Sequence, residues 1–219
     1  MKANAIYVSL VLASLMMGCS SSTSYRVSKD YRGQAPQLKK IGVVVAQAQI
    51  LNLSVLGFAL PDSEKSAQSA KLFESAVLSE FSLKGYSVVL LAIDDDLRAL
   101  INQYNSTRQN IHQEWDIDTI PNLKSTVPVS TRAGVDAVAI IWALDKISTS
   151  VRKTALVASW VLLHPSPGGK YHAELALLDR SGKRIFYNLK TGTEYNLTEE
   201  DDVSRICSEL VSDLESIRQ

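Results

Sequence analysis

Ile41-Gly42-Val43-Val44-Val45-Ala46 and Ser87-Val88-Val89-Leu90-Leu91-Ala92-Ile93 decide the fold, because of what lies between them. Each is a short apolar run rich in β-branched residues, the pattern of a buried strand. Between them, Ser63 to Leu83 places Ala70, Phe73, Val77 and Phe81 on one face at helical spacing, with Glu80 at its margin. Asp62 or Ser63 can cap this helix, Glu64 suits the positive end of its dipole, and Lys84-Gly85 stops it. Strand, helix and strand in this order predict a βαβ unit, since parallel strands require a crossover.

Beyond that unit, Asp94-Asp95-Asp96 directly precedes Leu97, Leu100 and Ile101, where N-cap and first-turn charges belong. Residues 102–127 are polar and aperiodic, and no element is predicted there. Pro128 to Ala133 predicts a short helical turn stopped by Gly134. The following strand sets Val138, Ile140, Trp142 and Leu144 on one face and Ala137, Ala139 and Ala143 on the other. Small residues on that second face let a helix pack closely. Three further runs, at 155–163, 171–178 and 184–189, are separated by Pro165–Gly169 and Asp179–Lys183 turns and predict an antiparallel meander. A last helix follows, with Thr198 as its cap, acids at 199–202, and an apolar stripe of Val203, Ile206, Cys207, Leu210, Val211, Leu214 and Ile217. The expected class is α/β (α+β): a mixed sheet of about 5–6 strands, an N-terminal βαβ, a C-terminal meander and a closing helix.

Upstream, the N-terminus specifies an address. Lys2 precedes an uncharged apolar stretch from Ala3 to Met17, about fifteen residues, short of the roughly 20 that a spanning helix needs. Gly18-Cys19 follows, resembling the lipobox of bacterial lipoproteins, with Met16 where leucine is commonest and Leu15 one place further out. That resemblance implies cleavage after residue 18 and acylation of Cys19, which becomes the mature N-terminus. Ser20, in place of aspartate, implies sorting to the outer membrane, with the domain facing the periplasm. The expected division is therefore a signal peptide at 1–18, a lipidated cysteine and flexible tether at 19–40, and one α/β domain at 41–219.

Composition adds exclusions. Apolar residues make up 46% and charged residues 21%, enough for a packed core. Lys plus Arg and Asp plus Glu both total 23, so no net charge recruits nucleic acid. After Cys19 the only cysteine is Cys207, on a predicted apolar stripe, which reads as a buried structural thiol without a disulfide partner. Phosphate-binding glycine loops, HExxH, CxxC and GxSxG are all absent from the sequence. Two groups of metal-ligating type stand in the sequence. His112, Glu114, Asp116 and Asp118 would share one side of an extended chain, and His164 and His172 flank the predicted turn at 165–169. Neither spacing is that of a zinc motif, and no cofactor, metal site or catalytic residue is assigned.

The crowded apolar segment Ile50 to Leu60 is too hydrophobic for an ordinary loop. Either it folds over the core as an irregular strand or hairpin, or Leu53, Val55, Leu56 and Phe58 form an exposed docking surface. The Gly134-Val135-Asp136-Ala137-Val138 strand start and the Leu178-Asp179-Arg180-Ser181-Gly182-Lys183 turn, within residues 40–217, resemble bacterial envelope lipoproteins. That broad class includes the curli-secretion channel subunit and related export-accessory lipoproteins. The resemblance implies a non-enzymatic accessory or assembly subunit, homo-oligomeric or bound to envelope proteins. The alternative is a periplasmic small-molecule- or metal-binding lipoprotein, or a hydrolase using one of the two histidine groups.

Overall fold

A computed structural model describes residues 22–31, 38–54, 56, 58–114, 116–148 and 170–214. Seven strands form one mixed sheet: β1 (Ser22–Val27), β2 (Lys40–Leu53), β3 (Ala59–Pro61), β4 (Ser87–Leu90), β5 (Ala137–Ser148), β6 (Tyr171–Asp179) and β7 (Arg184–Gly192). Their order is β1-β7-β6-β5-β2-β3, with β4 also pairing with β2. Among the described residues, four helices cover it: α1 (Ser63–Leu83), α2 (Asp95–Gln113), α3 (Thr126–Ala133) and α4 (Glu200–Ser212). The predicted βαβ unit is present as β2, α1 and β4, with β4 parallel to the start of β2. The meander β5-β6-β7 is antiparallel throughout. The fold class is therefore the α/β (α+β) class read from the sequence.

Residue size explains the two helix layers. On β5 the face of Ala137, Ala139 and Ala143, small except for Ile141, joins Phe73, Val77 and Phe81 of α1 and Ile206 and Leu210 of α4 in one core. Its bulky face, Val138, Ile140 and Trp142, packs with Leu97, Leu100 and Tyr104 of α2. Strand β2 keeps to both cores through an irregularity between Val45 and Gln47, which switches its side-chain parity. Ile41 and Val43 face the α1 core before it, and Ala48 and Ile50 face the same core after it.

Caps fall close to their predicted places, with one exception. Asp62 accepts from the Lys65 amide at 3.0 Å and Asp94 from the Leu97 amide at 2.9 Å. Gly134 ends α3 at φ 60, the left-handed conformation that favours glycine. Thr198 does not cap α4. The N-cap is Glu199, while the Thr198 hydroxyl donates to Asn196 Oδ1 at 2.8 Å and Asp202 accepts the Asn196 amide at 2.9 Å.

Two expectations are corrected. The tether expected at 19–40 contains β1, whose antiparallel register runs from Ser22↔Thr191 to Val27↔Phe186, and Tyr31 is fully buried. An edge strand takes its hydrogen bonds from its partner and buries one face, so serines and charges disguised it. Residues 102–113, left without an element, complete α2. The runs at 155–163 and 165–169, with His164, lie outside the described residues, as do Cys19, Val55 and Ile217.

Candidate functional site: a charged row beneath an open cleft

The antiparallel and parallel registers align Gln47, Trp142, Glu174 and Leu189 in one row across the sheet. Glu174 is fully buried at its centre. A buried carboxylate is costly unless charge and hydrogen bonds compensate it. Here Arg108 of α2 donates to its Oε1 at 2.8 Å, the Tyr104 hydroxyl donates to Oε2 at 3.2 Å, and His172 Nε2 contacts Oε1. Burial first, and then Glu174, push the Tyr104 hydroxyl far above its ordinary pKa, so it stays a donor. The same two causes raise Tyr187 nearby.

Trp142 braces the charges. Its indole N–H donates to Gln47 Oε1 at 3.0 Å, and its ring meets His172 edge-on at 5.5 Å. The Arg108 guanidinium lies 3.3 Å from the ring centroid, a cation–π contact that fixes the arginine between Trp142 and Glu174. Buried Arg184 lies further along the α2 side, donating to the Pro121 carbonyl at 2.9 Å and to Thr107 Oγ1 at 2.6 Å.

Past Arg108, towards the end of β2, the row opens into a cleft of about 540 Å³. Trp142 and Arg108 line it on the side of Glu174; Leu53 and Leu144 give it apolar walls, and Lys146, Lys170 and His172 bring cationic or protonatable groups. Its shape and charge suit a small anion with an apolar body.

The predicted site residues disperse. Leu53 is half-buried in β2 and lines the cleft, whereas Leu56 and Phe58 are 83% and 65% exposed on the β2–β3 turn. Ser54 closes that turn, its amide donating to the Phe58 carbonyl at 2.9 Å and its hydroxyl accepting the Phe58 amide at 3.0 Å. Leu60, in β3, is 59% exposed beside them. The irregular-hairpin and exposed-surface expectations for residues 50–60 thus both describe part of it.

The alternating acids do not converge, because His112 belongs to the end of α2 and Ile117–Thr119 form a 3-10 turn. Asp116 caps a 3-10 turn (Ile117–Thr119) and pairs with Lys29 at 2.7 Å. Asp118 accepts from Ser28 Oγ at 2.6 Å and the Lys29 amide at 3.0 Å, and pairs with Lys183 at 3.0 Å. Burial would raise the Asp118 pKa, but these donors outweigh it and hold the carboxyl at about 2. Among the described residues, no group of three or more His, Cys, Asp or Glu is placed to hold a metal ion. Cys207 is buried, and burial followed by the charge of Glu80 pushes its thiol up.

The sequence reading missed Glu174, Arg108 and Tyr104. One signal was available: alternation over 171–178 puts Glu174 on the face of Ala176 and Leu178, where an unpartnered carboxylate would not survive.

No family model and no curated protein matches the chain. Among solved structures, a variant PelC dodecamer from Paraburkholderia phytofirmans is similar over 89% of this chain and 96% of that one, at 10% identity and a TM-score of 0.40. A second PelC dodecamer from the same organism covers 89% and 97%, at 10% identity and a TM-score of 0.39. Likeness at this level leaves function and assembly to be argued from this chain's own residues.

Proposed function

We propose that the chain is an outer-membrane lipoprotein of the export-accessory kind, anchored through a lipid on Cys19, facing the periplasm and working by recognition rather than turnover. The Gly18-Cys19 pair supports the anchor. The observation that carries the non-enzymatic part is the bonding of Glu174. A carboxylate engaged by Arg108, Tyr104 and His172 is a fixed element of the architecture, not a base or nucleophile waiting for substrate. Its partner is a second copy or an envelope assembly protein. Crosslinking in native membranes followed by affinity purification tests this. One discrete oligomer or one reproducible partner, lost in Cys19→Ala, is expected; a solitary monomer overturns the accessory role.

The cleft favours a second reading, capture of a small anionic ligand at Lys146, Lys170 and His172. Thermal-shift screening against carboxylates and phosphorylated sugars should then give a stabilisation that Lys170→Glu abolishes. No shift with any of them removes this reading.

A further inference from the structure

We infer that the end of the sheet carrying the β2–β3 turn is the face that lies on the lipid bilayer, an inference that rests on the Cys19 anchor. The strand registers carry it. Ser22 pairs with Thr191, Thr191 with His172, His172 with Leu144, and Leu144 with Gln49. The first residue of β1 therefore lies in the same row as Gln49 of β2, and the chain before Ser22 leaves from this end of the sheet. Two residues, Ser20 and Ser21, separate Cys19 from Ser22, so three Cα–Cα steps give a reach of at most about 11 Å.

From Gln49, β2 continues in the same direction to Leu53, four residues or about 13 Å at about 3.3 Å per residue. Leu56 and Phe58 lie on the turn beyond it, with Leu60 on the returning strand, and all three are exposed. With β2 upright on the bilayer and β1 turned from it by the sheet twist, the reach of the anchor is thus shorter than the projection of the turn along β2. An acylated Cys19 at the lipid interface brings Leu56 and Phe58 into it. The two contact points are also well separated. β1 and β2 are four strand spacings apart, about 19 Å at about 4.8 Å each, so together they support the sheet end along its width.

Charge agrees with this orientation. Exposed Lys146 and Lys170 sit beside the turn, near the end of β5 and just before β6, at the height of phosphate headgroups. The opposite end exposes Leu83 at the close of α1, but its strand ends are polar and tied to one another: Asp136 accepts the Lys39 and Lys40 amides at 3.0 and 2.9 Å and pairs with Arg180 at 2.7 Å, and Lys183 pairs with Asp30 at 2.6 Å. An exposed leucine and phenylalanine on a turn, flanked by lysines and held within reach of a lipid, suit the interfacial layer of a bilayer.

Depth-dependent quenching tests the orientation on the full-length lipidated chain in vesicles of phosphatidylethanolamine and phosphatidylglycerol doped with brominated phospholipid. An environment-sensitive fluorophore is placed on Leu56→Cys or, at the opposite end, on Leu83→Cys, which closes α1 and is 77% exposed. Neither change removes core packing, Cys19 carries the lipid, and Cys207 is buried. Quenching at position 56 should exceed that at 83 by about two-fold or more, the difference between insertion into the interfacial layer and exposure to water. Equal quenching, or none at position 56 because a second copy or a protein covers the turn, overturns the inference while leaving the anchor intact. A wild-type chain that does not float with the vesicles overturns both.

Discussion

The two faces of the sheet keep their polar groups in different places. On the α1/α4 side they stand around a hydrophobic centre and tie down the ends of elements. Asn188 donates to the Leu210 carbonyl at 3.0 Å, Lys190 pairs with Glu209 at 2.7 Å, and Asp145 accepts the Leu197 amide at 3.1 Å. On the α2/α3 side a charge occupies the centre itself, with Glu174 under Arg108 and Trp142. The first face is held by apolar packing, for which area and volume matter. The second is held by a specific set of partners, for which identity matters. The cleft lined by Arg108 and Trp142 opens beside that second set, which holds its cationic and aromatic walls in place.

The largest test of this contrast removes the central charge. Glu174→Leu keeps side-chain volume but leaves Arg108, only 18% exposed, against Trp142 without its carboxylate. Loss of one partner of a buried pair costs about 3–5 kcal/mol, read as a fall in the urea midpoint. Adding Arg108→Leu should recover much of it, because an apolar pair needs no compensation. A Glu174→Leu variant as stable as wild type would show that the row contributes nothing to the fold.

Acid should separate the faces next. Asp118, on the α2 side and 19% exposed, has its pKa lowered to about 2. Its contribution is present above the ordinary carboxylate pKa and is lost as pH falls from about 4 towards 2, amounting to at most about 2 kcal/mol. Asp145, on the α1/α4 side, is shifted the other way, chiefly by burial. Its ionised form is penalised at neutral pH, and the penalty disappears as pH falls through its raised pKa. Asp118→Asn should therefore flatten the acid limb of the stability curve and Asp145→Asn should steepen it. Parallel curves would refute the assignment of opposite signs.

Legibility in the sequence follows the same division. Helices α1 and α4 and the β5-β6-β7 meander could be read because each carries its own period, cap or turn. Gly182 shows how local that information is: at φ 82, and with the Leu123 carbonyl where a Cβ would stand, the position requires glycine, and the sequence shows a turn there. Strand β1 was not legible, because its hydrogen bonds come from β7, and β3 was legible only as one arm of an irregular strand or hairpin whose partner is β2. The second half of α2 reads NQYNSTRQNIHQ from position 102, with weak periodicity. It is docked by Tyr104 and Arg108 on Glu174, contacts between residues far apart in the chain. The candidate site was hidden for that reason: alternation placed His172 and Glu174 on one face, but nothing local pointed to the arginine above them.

Smaller effects sharpen the contrast where the two faces are adjacent in sequence. Leu175 follows Glu174 on β6 but faces the α1/α4 core, fully buried with Ile206 and Leu210. Leu175→Met conserves volume and should cost less than about 1.5 kcal/mol, well below the change at its neighbour. If both substitutions cost the same, burial rather than partnership governs β6, and the division between the faces fails there.

Cys207 gives the smallest expected effect and bears on chemistry as well as packing. It lies on the buried stripe of α4 beside Ile206 and Leu210, and its raised pKa disfavours the thiolate that nucleophilic or redox chemistry requires. Cys207→Ala removes a volume near that of one methyl group, so about 1 kcal/mol should be lost in denaturant titration. Membrane fractionation and the crosslinked species should not change, since the thiol touches neither the cleft nor the β2–β3 turn. A variant that keeps its stability but loses its crosslinked partner would give the α1/α4 face a role in recognition, and the contrast would then have to be redrawn around α4.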